Sequence, residues 1–355
     1  MSGANYSAWD IQTLPAGQVD KKAFYRNLVG WAVLAANSHN SQPWRFRVSL
    51  AENRVDILVP KAGVLPASDK NARQAQISVG CAMANMFLAA QGYGVDSAEM
   101  DFSGMGPDQA GSVKMDFSGV IKEVRPSVFA AMKNRRMNRG KYSPAQPVPE
   151  ATIEALKQFD RNLFRDEGLS LHFIQDNPTR FAIAEIQYLA DRAVVARNDF
   201  RAELGNYFLP NDSSEAIGMP GSTFGLSDAM TARMRDELKK VGSFDPDLAH
   251  GFAAADRDGI KSAPLIVVVS AKSDSLESRV KAGMIFGMSC IAAEHFGLAV
   301  AVHAAIVEVT AFRAMLKLRL GAIGSVPLVL FRMGYPTEQR PHSPRASVDS
   351  VLEFV

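Results

Sequence analysis

Cysteine is scarce in this sequence of 355 residues: Cys81 and Cys290 are the only two, and neither lies in a CxxC motif or a metal-type Cys/His spacing. Disulfide scaffolds need several cysteines, and structural zinc sites need clustered cysteine and histidine ligands. The sequence therefore argues against both, and we predict no metal site. Because each cysteine lies in an apolar helical stretch, we predict that both are buried as small hydrophobic side chains.

A charge excess of either sign is also missing, since 39 lysines and arginines nearly balance 37 aspartates and glutamates. Binding of nucleic acids or anionic membranes usually requires a strongly basic surface, so we expect neither partner. No stretch approaches the roughly 18 apolar residues of a membrane span. Residues 1–17 lack the basic and apolar pattern of a secretory signal. We therefore expect a cytoplasmic protein whose ligands are small molecules.

Hydrophobic residues make up 47% of the chain, which is enough for a large core. Apolar residues at helical spacing run over 20–36, and "WRFRVSL" and "RVDILVP" alternate on the two sides of a turn, which predicts a hairpin. Residues 72–92 and 276–296 are small and apolar almost all round, which predicts two buried helices. The proline-rich stretch 142–149 is the best linker candidate.

The two apolar helices match each other when 203 is added to the residue number. Gly80 then meets Gly283, and the Tyr-Gly stop after the first helix meets a Phe-Gly stop after the second. Helix, strand, central apolar helix and strand recur in that order in both parts. We therefore predict an α+β fold built from a duplicated unit, with halves at 1–125 and 126–355 fused into a pseudo-dimer. Whether two such chains pair further stays open.

A long segment of unusual composition lies in the second half. An amphipathic helix is predicted over about 178–204, and the segment that follows, about 205–226, is rich in Gly, Pro, Ser and Asn. It also contains Tyr207, Phe208 and Phe224. Long loops inside compact domains are usually functional or disordered, and the aromatic residues favour a function. We predict a lid that covers a ligand site.

Uncharged hydrogen-bonding side chains are concentrated between the first helix and the hairpin, at Asn37, Ser38, His39, Asn40 and Gln42. Neutral amides and hydroxyls can pair with the carbonyl, N–H and hydroxyl groups of a ligand without adding charge. Local turn capping is the alternative. For Gln42, a structural role is as plausible as ligand contact. For His39, a position on the surface is nearly as plausible as one beside the ligand.

Basic residues cluster at two places: Arg135, Arg136 and Arg139 within "NRRMNRGKY", and Arg345 within "SPR". Guanidinium groups bind phosphate oxygens in bidentate pairs, so the two stretches together could enclose one phosphate. The alternative is a solvated helix end, because arginines near a helix C-terminus also complement its dipole.

Four stretches in this order, "ANSHNSQPWRF", "RRMNRGKY", "IVEVTAFRAMLKLRLGAIGSVPLVLFRMGY" and "SPR", resemble the FMN-binding nitroreductase superfamily. More narrowly, the chain is similar to the Acg-type branch, in which two nitroreductase-like halves are fused. The resemblance covers nearly the whole chain. It implies a nitroreductase-like α+β fold with mixed sheets flanked by helices, and FMN as a noncovalent cofactor.

The resemblance also implies where FMN is bound. In the family, an Arg-Arg-x-x-Arg segment and a late Arg after Pro bind the FMN phosphate, and a Ser-x-Asn-x-Gln-Pro-Trp segment touches the flavin and its ribityl chain. In this sequence the arginine segment and the late Arg occur only in the second half, and the Ser-x-Asn-x-Gln-Pro-Trp segment occurs only in the first half. The resemblance therefore implies one composite site per chain. The implied cofactor-binding residues are Asn37, Ser38, His39, Asn40, Gln42, Arg135, Arg136, Asn138, Arg139, Ala304, Ser343 and Arg345.

Two departures from the family pattern bear on function. Met137 stands where the family commonly has Ser or Thr beside the phosphate, and Asn138 is the candidate to replace that contact. Ala304 and Ala305 stand where the fused branch usually has a polar pair close to the reactive flavin nitrogen.

The resemblance implies an NAD(P)H-dependent oxidoreductase that passes electrons through FMN to a small acceptor such as a nitroaromatic or a quinone. No GxGxxG motif opens a helix after a strand, so the nucleotide would visit as a substrate. Because the redox chemistry belongs to the cofactor, we assign no catalytic side chain. A second hypothesis is a protein that sequesters FMN under its lid with little turnover, and a third is an FMN-dependent oxidase.

Overall fold

The computed structural model describes residues 3–163, 168–322 and 324–355. Its helices are α1 (Lys21–Ala32), α2 (Arg73–Gly92), α3 (Pro126–Asn134), α4 (Glu150–Leu163), α5 (Asn177–Val195), α6 (Asn198–Tyr207), α7 (Asp228–Leu238), α8 (Pro246–Ser262), α9 (Leu276–His295), α10 (Ala305–Glu308) and α11 (Thr310–Arg319).

The strands are β1 (Gly17–Gln18), β2 (Arg45–Ser49), β3 (Arg54–Leu58), β4 (Glu99–Asp101), β5 (Gln109–Lys114), β6 (Val120–Ile121), β7 (Leu169–Ile174), β8 (Phe208–Leu209), β9 (Met219–Pro220), β10 (Leu265–Ala271), β11 (Ala299–Val302), β12 (Val326–Gly334) and β13 (Leu352–Phe354). Helices and sheets both contribute, which confirms the predicted α+β class.

The first large sheet has the strand order β13-β2-β3-β5-β4. The predicted hairpin is confirmed as the antiparallel pair β2–β3, in which Phe46 faces Ile57 across the ladder. Strand β13 pairs in parallel with β2, so the sheet is mixed. Residues 352–354, at the far end of the sequence, therefore complete the sheet of the first half.

The second large sheet has the order β11-β12-β10-β7, and all its pairs are antiparallel. Every residue of β10 is buried, as expected for an unbroken apolar run in the centre of a sheet. One hydrophobic cluster includes residues of both sheets and of the helices α2 and α9. The two large sheets therefore share one interior.

Helices α2 and α9 pack against each other at two glycines. A Cβ atom on Gly80 would lie 2.1 Å from the carbonyl oxygen of Val280, and one on Gly283 would lie 2.0 Å from that of Ile77. Gly80 and Gly283 are 203 positions apart, and so are Ile77 and Val280. The contact is therefore reciprocal, as in an isologous interface between two copies of one unit.

The two helices also end in the same way. Gly94 and Gly297 follow them in the left-handed conformation, with φ of 69° and 71°. The next N–H groups, of Val95 and Leu298, donate back into the last turn, the latter to Ala293 O. Both ends are Schellman-type caps in which glycine supplies the positive φ.

Two predicted elements are wrong in detail. The long helix expected over about 178–204 is two helices, α5 and α6. At the break, Arg201 Nη1 donates to the carbonyl oxygens of Val195, the last residue of α5, and of Ala196, which caps it, at 2.9 and 3.0 Å. The sequence "AVAVHAAIV" over 299–307 predicts an extended stretch, but its strand ends at residue 302 and the chain continues as the short helix α10.

Both cysteines are free and buried, as predicted. None of the helices in the described part of the chain is long and apolar enough to cross a membrane.

Candidate functional site

The polar segment, residues 37–42, forms a tight turn between α1 and β2. Three of its residues, His39, Asn40 and Gln42, have positive φ, at 48°, 51° and 51°. This conformation is strained for residues other than glycine and persists where the surroundings hold it. Here the N–H of Gln42 donates to the side-chain oxygen of Asn37 at 2.9 Å. The turn is thus closed by its own amides.

Asn40 joins three distant parts of the chain. Its amide Nδ2 donates to the carbonyl oxygens of Gly218 and Pro344, both at 2.9 Å. Its Oδ1 accepts from Arg345 Nη1 at 2.6 Å. The polar segment, the lid and the C-terminal basic stretch therefore meet at one buried amide.

Gln42 makes a second connection of this kind. It is buried, its Nε2 donates to Ala216 O at 2.7 Å, and its Oε1 accepts from Ala346 N at 2.9 Å. Because both ends of the amide are used inside the protein and Gln42 lines neither cavity described below, the structure favours the structural role over ligand contact.

Arg135 and Arg345 are 4% and 5% exposed. Arg135 Nη2 donates to Leu34 O at 2.6 Å, and Arg345 Nη2 donates to Ala35 O at 3.1 Å. The Nε atoms of both have no partner within the described residues, where no carboxylate forms a salt bridge to either guanidinium. Burial lowers the pKa of both, and for Arg345 the charge of Arg135 adds to the effect. Two buried cations thus lie close enough to interact, and neither has a salt-bridge partner among the described residues, although the more distant Glu294 favours the charged form of Arg135.

The other predicted residues of "NRRMNRGKY" make contacts that differ from those of Arg135. The Arg139 guanidinium stacks on Phe224, 4.6 Å from the ring centroid. Arg136 is half-buried and donates to Arg340 O at 3.3 Å. Asn138 is fully buried and lines neither cavity; its N–H donates to Val300 O at 2.9 Å. Asn138 therefore holds the loop in place.

A polar pocket of about 30 Å³ lies where these segments converge. Trp9 and His342, which sequence reasoning missed, also line it and are stacked with ring centroids 3.9 Å apart. No local pattern marks either residue, because they lie at opposite ends of the chain. The predicted residues that line the polar pocket are Asn37, Asn40, Arg135, Arg136, Arg139, Ser343 and Arg345.

An apolar cavity of about 580 Å³ adjoins the polar pocket, since Arg139, Met137 and Met219 line both. The predicted lid forms one of its walls through Phe208, Met219 and Phe224. This segment is ordered by the short parallel pair β8–β9 and by its hydrogen bonds to Asn40. The predicted residues that line the apolar cavity are Asn37, Ser38, His39, Arg139 and Ala304.

Both histidines of the site are held neutral. Burial and then the charge of Arg139 lower the pKa of His39 to about 4. Burial, followed by the charges of Arg136 and Arg135, lowers the pKa of His342 to about 3. Near neutral pH the positive charge of the polar pocket therefore comes from its arginines alone.

Several charged groups on the wall of the apolar cavity were not predicted. Asp191, Asp256, Glu308 and Arg73 all line it. Burial raises the pKa of Glu308 to about 8, and Arg73 opposes the rise. Single acids in amphipathic helices look like a solvated face in a sequence, so no pattern identified them. No cluster of His, Cys, Asp and Glu suited to a metal occurs among the residues that the structure describes.

No protein-family model matches the chain, and no curated protein matches it in sequence. Solved structures do match. The FMN-dependent nitroreductase NfnB from Mycobacterium smegmatis in complex with NADPH is 17% identical over 65% of this chain and 98% of that chain, with a TM-score of 0.44. The NADPH:FMN oxidoreductase from Vibrio harveyi complexed with NAD+ is 14% identical over 62% and 73%, with a TM-score of 0.36.

Proposed function

We propose that this chain binds FMN, with the phosphate in the polar pocket and the ring in the apolar cavity beside it. The observation that carries the proposal is the pair of buried guanidinium groups, Arg135 and Arg345, whose Nε atoms have no partner and which form no salt bridge within the described residues. Burying an unpaired charge is costly, and a phosphate would offset that cost through charge-assisted hydrogen bonds. Arg139, at the junction of both spaces, supplies a third cation.

The two spaces suit the two ends of FMN. A cavity of about 580 Å³ lies within the roughly 300–1,000 Å³ of small-molecule sites, and its apolar wall suits an aromatic ring. The polar pocket holds only about 30 Å³, room for about two water molecules. The arginine side chains therefore have to move apart when a phosphate binds.

We further propose a nitroreductase-type activity, in which NAD(P)H reduces and a small organic acceptor oxidises the cofactor in turn. FMN, when bound, supplies the two-electron chemistry. The chain supplies the cations that orient the phosphate, the neutral amide of Asn37 at the junction, and a water-poor cavity. Nitroaromatics and quinones are the proposed acceptors, because they are flat and apolar.

The reciprocal glycine contact of α2 and α9 supports the proposal of a duplicated unit in one chain. The residues of the polar pocket come from both proposed halves, Asn40 from the first and Arg345 from the second. The composite site of an internal pseudo-dimer would have this property. The boundary at 125/126, the cytoplasmic location and further dimerisation stay predictions.

The test begins with flavin binding by the purified protein. We expect a yellow protein that, after removal of the flavin, binds FMN more tightly than riboflavin by at least 100-fold, because riboflavin lacks the phosphate. Mixing the FMN-loaded protein with NADPH or NADH without oxygen should bleach the flavin absorption, and a quinone should restore it. Equal affinities for FMN and riboflavin would contradict the phosphate site.

The second candidate function is sequestration of FMN with little turnover. It is favoured by the lid, which is hydrogen-bonded to Asn40 and Gln42, and by the apolar Ala304 and Ala305. A small reductant separates the two functions. If dithionite bleaches the bound flavin and neither NADPH nor NADH does, the chain sequesters FMN; bleaching by either nucleotide supports the oxidoreductase.

A further inference from the structure

Two aspartates from neighbouring helices lie together on the wall of the apolar cavity. Asp191 belongs to α5 and Asp256 to α8, and both line the cavity. Gln187 links them, with its Nε2 at 2.8 Å from Asp191 Oδ1 and 3.5 Å from Asp256 Oδ2. Asp191 is 3% exposed, and its Oδ2 has no partner among the described residues. One buried carboxyl oxygen at the cavity thus lacks a partner.

Asp256 lies beside a histidine on its other side, with two arginines further away. His303 Nδ1 lies 3.1 Å from Asp256 Oδ2, and Arg332 Nε donates to His303 Nε2 at 3.1 Å. Because Nε2 accepts this bond, the neutral imidazole carries its proton on Nδ1, facing Asp256. Burial raises the pKa of Asp256, but His303 and the charges of Arg139 and Arg332 outweigh burial, and the net shift is downward. Asp256 is therefore the ionised member.

We propose that Asp191 is the proton donor to an electron acceptor bound in the apolar cavity, a neutral aromatic molecule with a carbonyl oxygen, of the quinone class. The proposal rests on the proposed function. Asp191 has the required place, since it lines the same apolar space as Ala304. It also has the required free atom, since its Oδ2 has no hydrogen-bond partner within the described part of the chain.

The charges that face Asp191 keep it protonated. Burial raises its pKa well above the usual range, the charge of Asp256 adds to the shift and Glu308 adds more, while the bond from Gln187 opposes it. Two carboxyl groups that share one buried wall cannot both ionise readily, so one keeps a proton. His303, Arg139 and Arg332 decide that Asp256 loses its proton and Asp191 keeps it.

The proton balance of the reaction needs such a group. A quinone becomes a hydroquinone by taking up two electrons and two protons. FMN, when bound and reduced by NAD(P)H, would supply both electrons and one of the protons in the form of a hydride. The second proton comes from Asp191: its O–H bond breaks, a new O–H bond forms on the quinone oxygen, and the carboxylate regains a proton from water. General acids of this kind contribute about 10²–10⁴-fold in rate.

The protonation state can be tested without flavin, by infrared titration of the flavin-free protein. We expect protonated-carboxyl C=O absorption at pH 7 with contributions from Asp191 and from Glu308, because burial raises the pKa of Glu308 to about 8. Asp191→Asn should remove one component of this absorption that Glu308→Gln leaves in place, and Asp247→Asn, a matched change of an exposed acid on the same cavity, should remove neither. An unchanged spectrum in Asp191→Asn overturns the proposal and leaves the FMN site intact.

The kinetic test uses two acceptors with the FMN-loaded protein. With 1,4-benzoquinone, Asp191→Asn should lower kcat at least 10-fold while KM changes less than twofold, because the amide still donates a hydrogen bond. With ferricyanide, which accepts electrons without protons, the same variant should match the wild type. Equal losses with both acceptors would assign Asp191 a structural role and overturn the proposal. If no flavin binds at all, the proposed function fails and the infrared titration still decides the protonation of Asp191.

Discussion

Helices α2 and α9 make equivalent backbone contacts with each other, but they contribute very differently to the apolar cavity. They cross at equivalent glycines and end in equivalent caps. Yet α2 lines the apolar cavity with five residues, whereas α9 contributes Phe286 alone among the described residues. The five residues of α2 are Arg73, Gln74, Ile77, Ser78 and Cys81.

The face of α9 that corresponds to the cavity face of α2 is filled. Glu277 and Lys281 stand at the positions of Gln74 and Ser78. Lys281 is 6% exposed, pairs with Glu277, and lies 4.8 Å from the ring centroid of Phe102. The comparison teaches that the two helices share their packing contact, while the side chains leave a cavity beside α2 and fill the equivalent position beside α9 with the pair of Lys281 and Glu277.

The largest expected effect tests whether Gly80 of α2 and Gly283 of α9 are equivalent in the contact between the two helices. Gly80→Ala and Gly283→Ala would each place a Cβ at 2.1 or 2.0 Å from a carbonyl oxygen. Because backbone atoms must then separate, we expect each variant to lose about 3 kcal/mol of unfolding free energy, the upper part of the range for overpacking, as measured by urea denaturation.

The matched control for this test is Gly251→Ala in α8, where an added Cβ meets nothing within 4 Å. It should stabilise the protein by about 0.5–1 kcal/mol, because alanine favours a helix over glycine. Losses at Gly80 and Gly283 that differ by more than about 1.5 kcal/mol, the size of a typical single-site effect, would break the equivalence.

The next largest expected effect tests whether Arg345 binds the phosphate of FMN in the polar pocket. Arg345→Ala removes a buried cation from the polar pocket, and we expect FMN to bind about 100-fold more weakly, or about 2.7 kcal/mol. The physical reason is the lost charge-assisted hydrogen bonds to the phosphate. Quenching of flavin fluorescence by the flavin-free protein measures the affinity.

Arg26→Ala is the control for this prediction, because Arg26 pairs with Asp349 on the surface. It should leave the FMN affinity within twofold of the wild type. Riboflavin, without a phosphate, should bind to Arg345→Ala as to the wild type. If FMN and riboflavin weaken together, the arginine supports the fold and does not bind the phosphate.

The outcome at each position shows what the sequence can predict. The hairpin, the buried helices and the paired glycine stops follow from local patterns, and the structure confirms them. The convergence of Asn40, Arg135 and Arg345 came from the resemblance, because no spacing rule relates residues 305 positions apart. Three features had no local signal: the parallel pairing of β13 with β2, the break between α5 and α6, and the carboxyl pair of Asp191 and Asp256. Each depends on contacts between segments far apart in the sequence or on a buried partner.

The smallest expected effect compares two neutral histidines of the site, His39 on the apolar cavity and His342 on the polar pocket. Their folded pKa values of about 4 and about 3 lie below the roughly 6.5 of the unfolded chain. Below pH 6.5 the unfolded state therefore binds protons that the folded state does not. As the pH is lowered, the unfolding free energy decreases by about 1.4 kcal/mol per pH unit for each histidine.

Unfolding of the wild type between pH 6.5 and 4 is accompanied by proton uptake. Replacing either histidine with glutamine should reduce this uptake by about one proton per molecule. Urea denaturation at half-unit steps of pH measures this slope, and above pH 7 the variants and the wild type should run parallel. Equal changes of slope for His39→Gln and His342→Gln would mean that both spaces of the site disfavour the charged imidazole to a similar degree. A slope that stays at the wild-type value in His342→Gln would show that the pKa of this ring is nearly the same in the folded and unfolded chains, which contradicts a neutral His342 beside the arginines.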